Sequence, residues 1–557
     1  MEDLKVVVIG GVATGPKAAA RVKRCNPHAK VTIVEKGEWL SYGGCGLPYY
    51  LGAAVKELKD LMSTSWEAVR TPEFFKEAKD IDVLMGWEAT AIDKTGKKIT
   101  INNNKTNEVR ELEYDKLVLA TGAETVVPPL EGIDAAGVFF LKNPQHALDI
   151  KHYLMNNEVQ NAVIIGAGLI GIESAESMAN WGAQVTIIEM QRQILPFLLD
   201  REMAMSLQSY LEQEDLNIVT GTKVQEILKD DLGKVKSIRT EQGLIEAQMV
   251  LVSTGVRPNV NLAAQAGLEV EKGIVVNEYL QTSDPDIYAG GDCVVCKHRV
   301  SDKMVYVPLG STANKHGRII GTNICGGSEI FPGVLSTSIV KIFDWNAGRS
   351  GLGEEEARKL GYNVAAAFVP GPDKAHFFPG KKLMLTKLIG DRDTGKLLGA
   401  QLIGPGDIAR RLDVIVTALS FGATAHQLAN LDLAYAPPFS PAMDNIINAA
   451  NVLKNIIEGK AKNIGYEEFK TKLNSQDAVL VDLRTEEERK GKKLPAQNIL
   501  HIPFEEIRTR VSEIPADKEI IVFCILSTRA FEAQVILNHL GFKNVKFIDA
   551  GIQFWPF

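Results

Sequence analysis

Two segments of the chain repeat one pattern. Lys5–Gly15 (KVVVIGGVATG) is an apolar run closed by a glycine-rich turn; a helical stretch follows, then KVTIVEK (Lys30–Lys36), a second apolar run ending on an acid. Asn161–Gly171 (NAVIIGAGLIG), a helical stretch and QVTIIEM (Gln184–Met190) repeat it. Such alternation of β-branched runs and helical patterns is the signature of α/β architecture. The unit itself is demanding. The glycines let the backbone approach a pyrophosphate, the helix N-terminus opposes its charge, and the acid ending the second strand reaches a ribose hydroxyl. Two units imply two nucleotide-binding folds in one chain of 557 residues, a length that suggests about three to four domains.

The second unit is regular. Gly166, Gly168 and Gly171 keep the full spacing, and Glu189 ends the next strand 18 residues after Gly171. Glu189 would repel a 2′-phosphate, which favours NADH; Arg192 close by keeps NADPH open. The first unit keeps Gly10 and Gly15, but Val12 stands at the middle glycine position; Glu35 follows Gly15 by 20 residues, with Lys36 after it. Three later segments support it: LVLATGA (Leu117–Ala123), VLVSTGVRPN (Val250–Asn259) and QTSDPDIYAGGD (Gln281–Asp292). The last comes after the second unit, so the second fold is nested in the first.

Cys45 lies in LSYGGCGLPYY (Leu40–Tyr50) with no second cysteine beside it; five residues on stands Tyr50, and the next cysteine is Cys293. On its residues alone, Cys45 also reads as a small buried side chain. If it is redox-active, its sulfur partner must come from a substrate. Six cysteines in the whole chain is too few for a disulfide scaffold. A net charge of −7 leaves no nucleic-acid footprint. Apolar runs are too short to span a bilayer, and the N-terminus does not read as a secretory signal. The expectation is a cytoplasmic protein with reduced thiols and no membrane partner. The histidines show no metal spacing, Cys293-x-x-Cys296 lacks a second ligand pair, and no metal site is expected; His316 reads as structural.

The order of these segments resembles the two-dinucleotide flavoprotein disulfide reductases, with FAD in the first fold and NAD(P)H in the second. The Ser41-x-x-x-Cys45 spacing is similar to that of its single-cysteine branch, which contains coenzyme A-disulfide reductases, NADH oxidases and peroxidases, and persulfide or polysulfide reductases. The resemblance implies that Gly10, Gly15, Glu35, Lys36, Thr121, Gly122 and Gly255 belong to the cofactor sites with Gly166, Gly168, Gly171 and Glu189, and that Asp292 reaches the ribityl chain of the flavin. It places Cys45 beside the flavin, where a helix N-terminus and the oxidised flavin lower its pKa. The thiolate would attack a substrate S–S bond, and NADH, through FAD, would reduce the mixed disulfide.

Lys17, Arg21 and Arg24 share one face of the first helix, which by itself reads as a solvated charged face. The family resemblance makes that face and Ser41 substrate groups for coenzyme A, with Asn314 in STANKHGR alongside. LAYAPPFSPAMD (Leu433–Asp444) is similar to the segment that brings a tyrosine from a partner subunit, so Tyr435 is expected to donate to the departing thiolate in an obligate homodimer. The family's Tyr-Tyr-Pro-Gly segment reads Phe377-Phe378-Pro379-Gly380 here. The lost hydroxyl fits a sulfur substrate other than coenzyme A disulfide better.

After a polar, lysine-rich stretch the chain ends in a small α/β unit. Cys524 opens CILSTR (Cys524–Arg529) between the strand EIIVF and a helix; with VLVDLRTEEER (Val479–Arg489) and a terminal AGIQFW it resembles a single-domain rhodanese. The resemblance makes Cys524 the persulfide carrier and Arg529 the binder of the sulfur donor's anion. Ser527 replaces the usual glycine of that loop.

The expected architecture is therefore α/β: an FAD-binding fold over 1–115 and 251–325, a nested NAD(P)H-binding Rossmann-like fold over 116–250, an α+β dimerisation domain over 326–445, a linker over 446–464 and a rhodanese-like domain over 465–557. The expected activity is NADH-dependent reduction of a persulfide, polysulfide or coenzyme A disulfide at Cys45, with coenzyme A as cofactor or substrate. An NADH oxidase or peroxidase cycling Cys45 through a sulfenic acid is the main alternative. A sulfurtransferase with a vestigial reductase, or a redox-responsive interaction protein, is the other.

Overall fold

In a computed structural model, residues 4–555 are described. They divide into two compact units, residues 4–192 with 216–334, and residues 193–215 with 335–555.

The first unit holds the two repeated folds, and they match strand for strand. In one, Ile287–Ala289, Lys116–Leu119, Lys5–Ile9, Lys30–Glu35 and Asp82–Met85 form a parallel sheet in that order. In the other, Asn217–Thr220, Gln184–Glu189, Asn161–Ile165, Met249–Val252 and Val138–Phe139 do the same in reverse listing. Even the turns coincide. Gly10 N donates to Val34 O at 2.9 Å, and Gly166 N to Ile188 O at 2.8 Å. A Cβ on Gly15 would lie 1.9 Å from Gly10 O, and one on Gly171 2.1 Å from Gly166 O. Only glycine lets each helix close so tightly on its own turn. Val8, Ile33 and Val118 in the first sheet and Ile164, Ile187 and Leu251 in the second are fully buried, as a sheet covered on both faces requires.

The strand pairing shifts two expected boundaries. Lys116–Leu119 pairs with Lys5–Ile9, so the first fold runs past residue 115; Met249–Val252 is one continuous strand of the second fold, so residue 250 is not its end. The two-stranded crossing is Ala123–Thr125 with Val256–Pro258.

The second unit contains an antiparallel sheet, ordered Ser338–Ile342, Trp345–Gly351, Leu397–Gly404, Leu383–Asp391, Val364–Pro372. It also contains a parallel sheet ordered Asn463–Ile464, Val545–Ile548, Glu519–Phe523, Ala478–Asp482, Ile499–His501. The two sheets are joined within the unit: Ala550 N donates to Phe368 O at 3.0 Å, and Trp555 packs on Phe368 and Tyr466. The stretch read as a linker is largely a helix, Asn445–Ile457. Its Ile446, Ile447, Ala450, Leu453 and Ile456 are buried on the antiparallel sheet. Asn445, Asn448, Asn451 and Asn455 interrupt that apolar series and hide the helical period.

The helix Arg201–Gln213 belongs to the second unit by its contacts: Ser206 Oγ donates to Phe554 O at 2.6 Å and Arg201 pairs with Glu467 at 2.9 Å. At the heart of this unit Lys387, 1% exposed, is held by Asp200 and Glu354 at 2.8 Å each and by Glu202. Burial alone would lower its pKa; the three carboxylates outweigh that and raise it well above 10.5. Among the described residues no helix is long and apolar enough to cross a membrane.

Candidate active site and the family

The two acids expected at the cofactor sites are placed alike. Glu35 accepts from Gly11 N at 2.6 Å and Gly37 N at 2.7 Å; Glu189 accepts from Ala167 N at 2.9 Å and Gln191 N at 2.7 Å. Each carboxylate thus braces the glycine turn it serves. Above Gly168 nothing lies within 4 Å of where a Cβ would stand, the space a pyrophosphate needs. In the first fold a cavity of about 420 Å³ opens beyond the carboxyl ends of Lys30–Glu35 and Asp82–Met85, lined by Trp39, Leu40, Met62, Arg70, Met85 and Lys105. That is where an open parallel sheet receives its ligand. The residues present therefore fit a dinucleotide at each turn. Thr121 and Gly122 are clamped across the crossing by Asn259: Thr121 Oγ1 donates to Asn259 O at 2.7 Å, and Asn259 N donates to Gly122 O at 2.9 Å. Neither Gly122 nor Gly255, both at positive φ, has anything within 4 Å of a would-be Cβ. Lys36 is exposed and lies 3.5 Å from Glu88.

Cys45 sits in a short 3₁₀ turn, Gly44–Gly46, just before the helix Leu47–Leu51. That short helix does not supply the expected N-terminal stabilisation. A distant one does. The backbone N–H of Gly310, first residue of the helix Gly310–Ile324, donates to the thiol, as does that of Cys45 itself. The protein's own groups, the flavin apart, act in the other direction on balance. Cys45 is exposed, yet the desolvation it does undergo pushes the thiol up, and the carboxylates of Glu173 and Asp292 add to it, against those two donors. Both carboxyls are raised themselves: Glu173 by burial to about 7, opposed by the hydrogen bond from Tyr49 Oη at 3.1 Å, and Asp292 by burial, opposed by Lys142. Glu173 and Tyr49 were not singled out from the sequence. Glu173 lies on the helix after the second glycine turn, Leu169–Ala179, which packs on Leu47–Leu51 through Ser177 Oγ to Pro48 O at 2.7 Å.

Ser41 is buried at φ +50°, its carbonyl and hydroxyl accepting from Arg70 at 2.6 and 3.2 Å. Arg70 is a second residue that the sequence does not advertise. The basic face divides. Lys17 and Arg21 are half-buried against the Gly310–Ile324 helix, with Arg21 Nε on Thr322 Oγ1 at 2.9 Å, whereas Arg24 is exposed. Asn314 is exposed one turn beyond Gly310, whose carbonyl its Nδ2 meets at 2.9 Å. Cys293, Cys296 and His316 are core residues; His316 accepts from Gly291 N at 3.0 Å, and burial holds its pKa down at about 4. In the second unit Tyr435 is 53% exposed, as a residue offered to a partner would be.

Cys524 is buried at the end of Glu519–Phe523. Its loop closes on Ser527, which takes φ +66° as N-cap of the helix Thr528–His539 and donates its hydroxyl to Ile548 O at 2.6 Å. That bond holds a left-handed residue where glycine is usual. Arg529 senses the Cys524 thiol and pairs with Glu488 at 2.7 Å. Asp482, 1% exposed, grips Arg484 through two bonds of 2.9 and 2.8 Å, which accounts for the VLVDLR run.

Comparison with known proteins gives the lineage. The pyridine nucleotide-disulphide oxidoreductase family matches residues 4–317, its dimerisation domain residues 337–447, and the rhodanese-like domain residues 466–556. An NAD(P)H sulfur oxidoreductase (CoA-dependent) of Pyrococcus furiosus is 38% identical over 457 residues, 82% of this chain and all of that protein. The structure of an NAD-dependent persulfide reductase from A. fulgidus is 43% identical with a TM-score of 0.94, covering 99% of this chain and 100% of that one. Reduced CoADR-RHD of Bacillus anthracis is 34% identical with a TM-score of 0.93, covering 100% and 98%. This chain belongs to the pyridine nucleotide-disulphide oxidoreductases, and carries their dimerisation domain and a rhodanese-like domain in one polypeptide.

Proposed function

We propose that the protein is an FAD-dependent NADH:persulfide oxidoreductase, acting on a persulfide, polysulfide or coenzyme A disulfide through Cys45, with Cys524 carrying sulfur to or from that reaction. One observation carries the reading: Cys45 is a free thiol, set at the N-terminus of the Gly310–Ile324 helix, in a chain that also holds a rhodanese-like domain. The Cys45 thiolate attacks the inner sulfur of a persulfide R–S–S–H; hydrosulfide leaves and a Cys45–S–S–R mixed disulfide remains. FAD, when bound, supplies the two electrons of NADH that return this bond to two thiols. Gly310 N–H steadies the thiolate at both stages. Glu173, with its pKa near 7, holds or releases the proton that the sulfur needs. Glu35 and Glu189 fix the two glycine turns, and Glu189 favours NADH over NADPH.

Lys17, Arg21, Arg24, Ser41 and Asn314 are the groups we assign to coenzyme A, with Arg24 and Asn314 the exposed ones. Tyr435 would act from the partner of a homodimer, and Arg529 on the sulfur donor's anion. The test is anaerobic NADH consumption with coenzyme A persulfide against consumption with oxygen alone. Strong stimulation by the persulfide, lost in Cys45→Ser, is expected; equal rates from oxygen would overturn the reading.

A further inference from the structure

The helices Thr14–Cys25 and Gly310–Ile324 lie side by side, and their contact advances one turn at a time. Thr14 Oγ1 donates to Ala313 O at 3.0 Å. A Cβ on Gly317 would lie 2.5 Å from Thr14 O, and one on Gly321 2.7 Å from Ala18 O and 2.6 Å from Arg21 Cβ. At the next step Cys325 Sγ lies 3.7 Å from Val22 O. Cys25 follows Arg21 by four residues, as Cys325 follows Gly321, so the same progression sets Cys25 against Cys325, near enough for Cys25 to act on the Cys325 thiol. The glycines that let the two helices touch therefore bring two thiols together. Both are free; Cys25 is exposed and Cys325 half-buried. Burial, then the neighbouring Cys25, pushes the Cys325 thiol up to about 11, so Cys25 is the group that meets a dissolved reagent first.

We propose that Cys25 and Cys325 are a redox modification site, forming a reversible disulfide that ties the helix of Lys17, Arg21 and Arg24 to the helix of Asn314. The oxidant is a low-molecular-weight disulfide, R–S–S–R. The Cys25 thiolate attacks it, one RS⁻ leaves, and a Cys25–S–S–R mixed disulfide forms. The Cys325 thiolate then displaces the second RS⁻. Two protein thiols lose two electrons and two protons, and one R–S–S–R becomes two R–SH. The exchange is independent of any reaction at Cys45.

The reduced full-length protein, treated anaerobically with oxidised glutathione, alkylated and digested, tests this by peptide mass spectrometry. The expected result is a linked pair of peptides containing Cys25 and Cys325, with alkylation of both cysteines falling by more than half. Dithiothreitol should restore both. Cys25→Ala and Cys325→Ala should each abolish the linked pair, and the map of the unsubstituted protein stands even if a variant folds poorly. Full alkylation of both cysteines, or glutathione retained on Cys25 while Cys325 is still alkylated, would overturn the proposal.

Discussion

Carboxylates gather around Lys387 and around Cys45, with opposite results. Around Lys387, Asp200, Glu202 and Glu354 meet a cation; the half-buried Asp200 and Glu354, which desolvation would raise, are lowered by Lys387 instead. Around Cys45, Glu173 and Asp292 meet a thiol, and burial raises all three groups. The matched cluster holds a structure together. The unmatched one holds protons its groups would ordinarily give up more readily, a shift often found where protons and electrons move. The rhodanese-like site is a third arrangement: Cys524 has a guanidinium, Arg529, for company, itself paired with Glu488.

The largest test of this contrast removes the thiol. Cys45→Ser should cut persulfide-dependent NADH oxidation by about a thousandfold or more, while sulfur transfer at Cys524 continues; assaying the two reactions on one preparation separates the sites. Next comes the matched cluster. Lys387→Met leaves three carboxylates without their cation and should destabilise the fold by about 3–5 kcal/mol, read by denaturant unfolding of the full chain. The pH window follows from the shifts. The raised Lys387 pKa gives stability that is fully present below about 10.5 and lost as pH rises through the folded value. The lowered Asp200 and Glu354 pKa values give stability present above their ordinary 3.8 and 4.5, lost as pH falls through the folded values. Neutral pH should leave the cluster intact.

A smaller effect is expected at the third site. Arg529→Ala should raise the KM for an anionic sulfur donor by about tenfold with less change in kcat. Smallest is Glu173→Gln. Removing that carboxylate should move the pH profile of Cys45 alkylation toward acid and speed alkylation severalfold at neutral pH, because one of the charges opposing the thiolate is gone. An unmoved profile would mean that the carboxylate does not act on the thiol.

What could be read in the sequence was local. Lys5–Gly15 and Asn161–Gly171 announce their folds because strand, turn, helix and acid lie within about one βαβ unit. Cys45 and Cys524 stand out for the same reason. The charge around Cys45 could not be read, because Cys45, Glu173, Asp292 and Gly310 converge from four separate stretches of chain. Arg70 was hidden likewise: only the fold brings it to Ser41. The helix Asn445–Ile457 is hidden in the sequence because polar asparagines break up its buried stripe. The Lys387 cluster is not legible because Asp200 and Glu202 lie at the start of Arg201–Gln213, a helix inserted between strands of the second nucleotide fold.

The central claim is that Cys45 exchanges electrons with a sulfur bound to it from outside the chain. The direct measurement is mass spectrometry of the anaerobic holoenzyme after one equivalent of coenzyme A persulfide, before and after NADH. The account predicts a coenzyme A mixed disulfide on Cys45 that disappears when NADH is added. Turnover with Cys45 unmodified, or an adduct on another cysteine that NADH discharges equally well in Cys45→Ser, would contradict it.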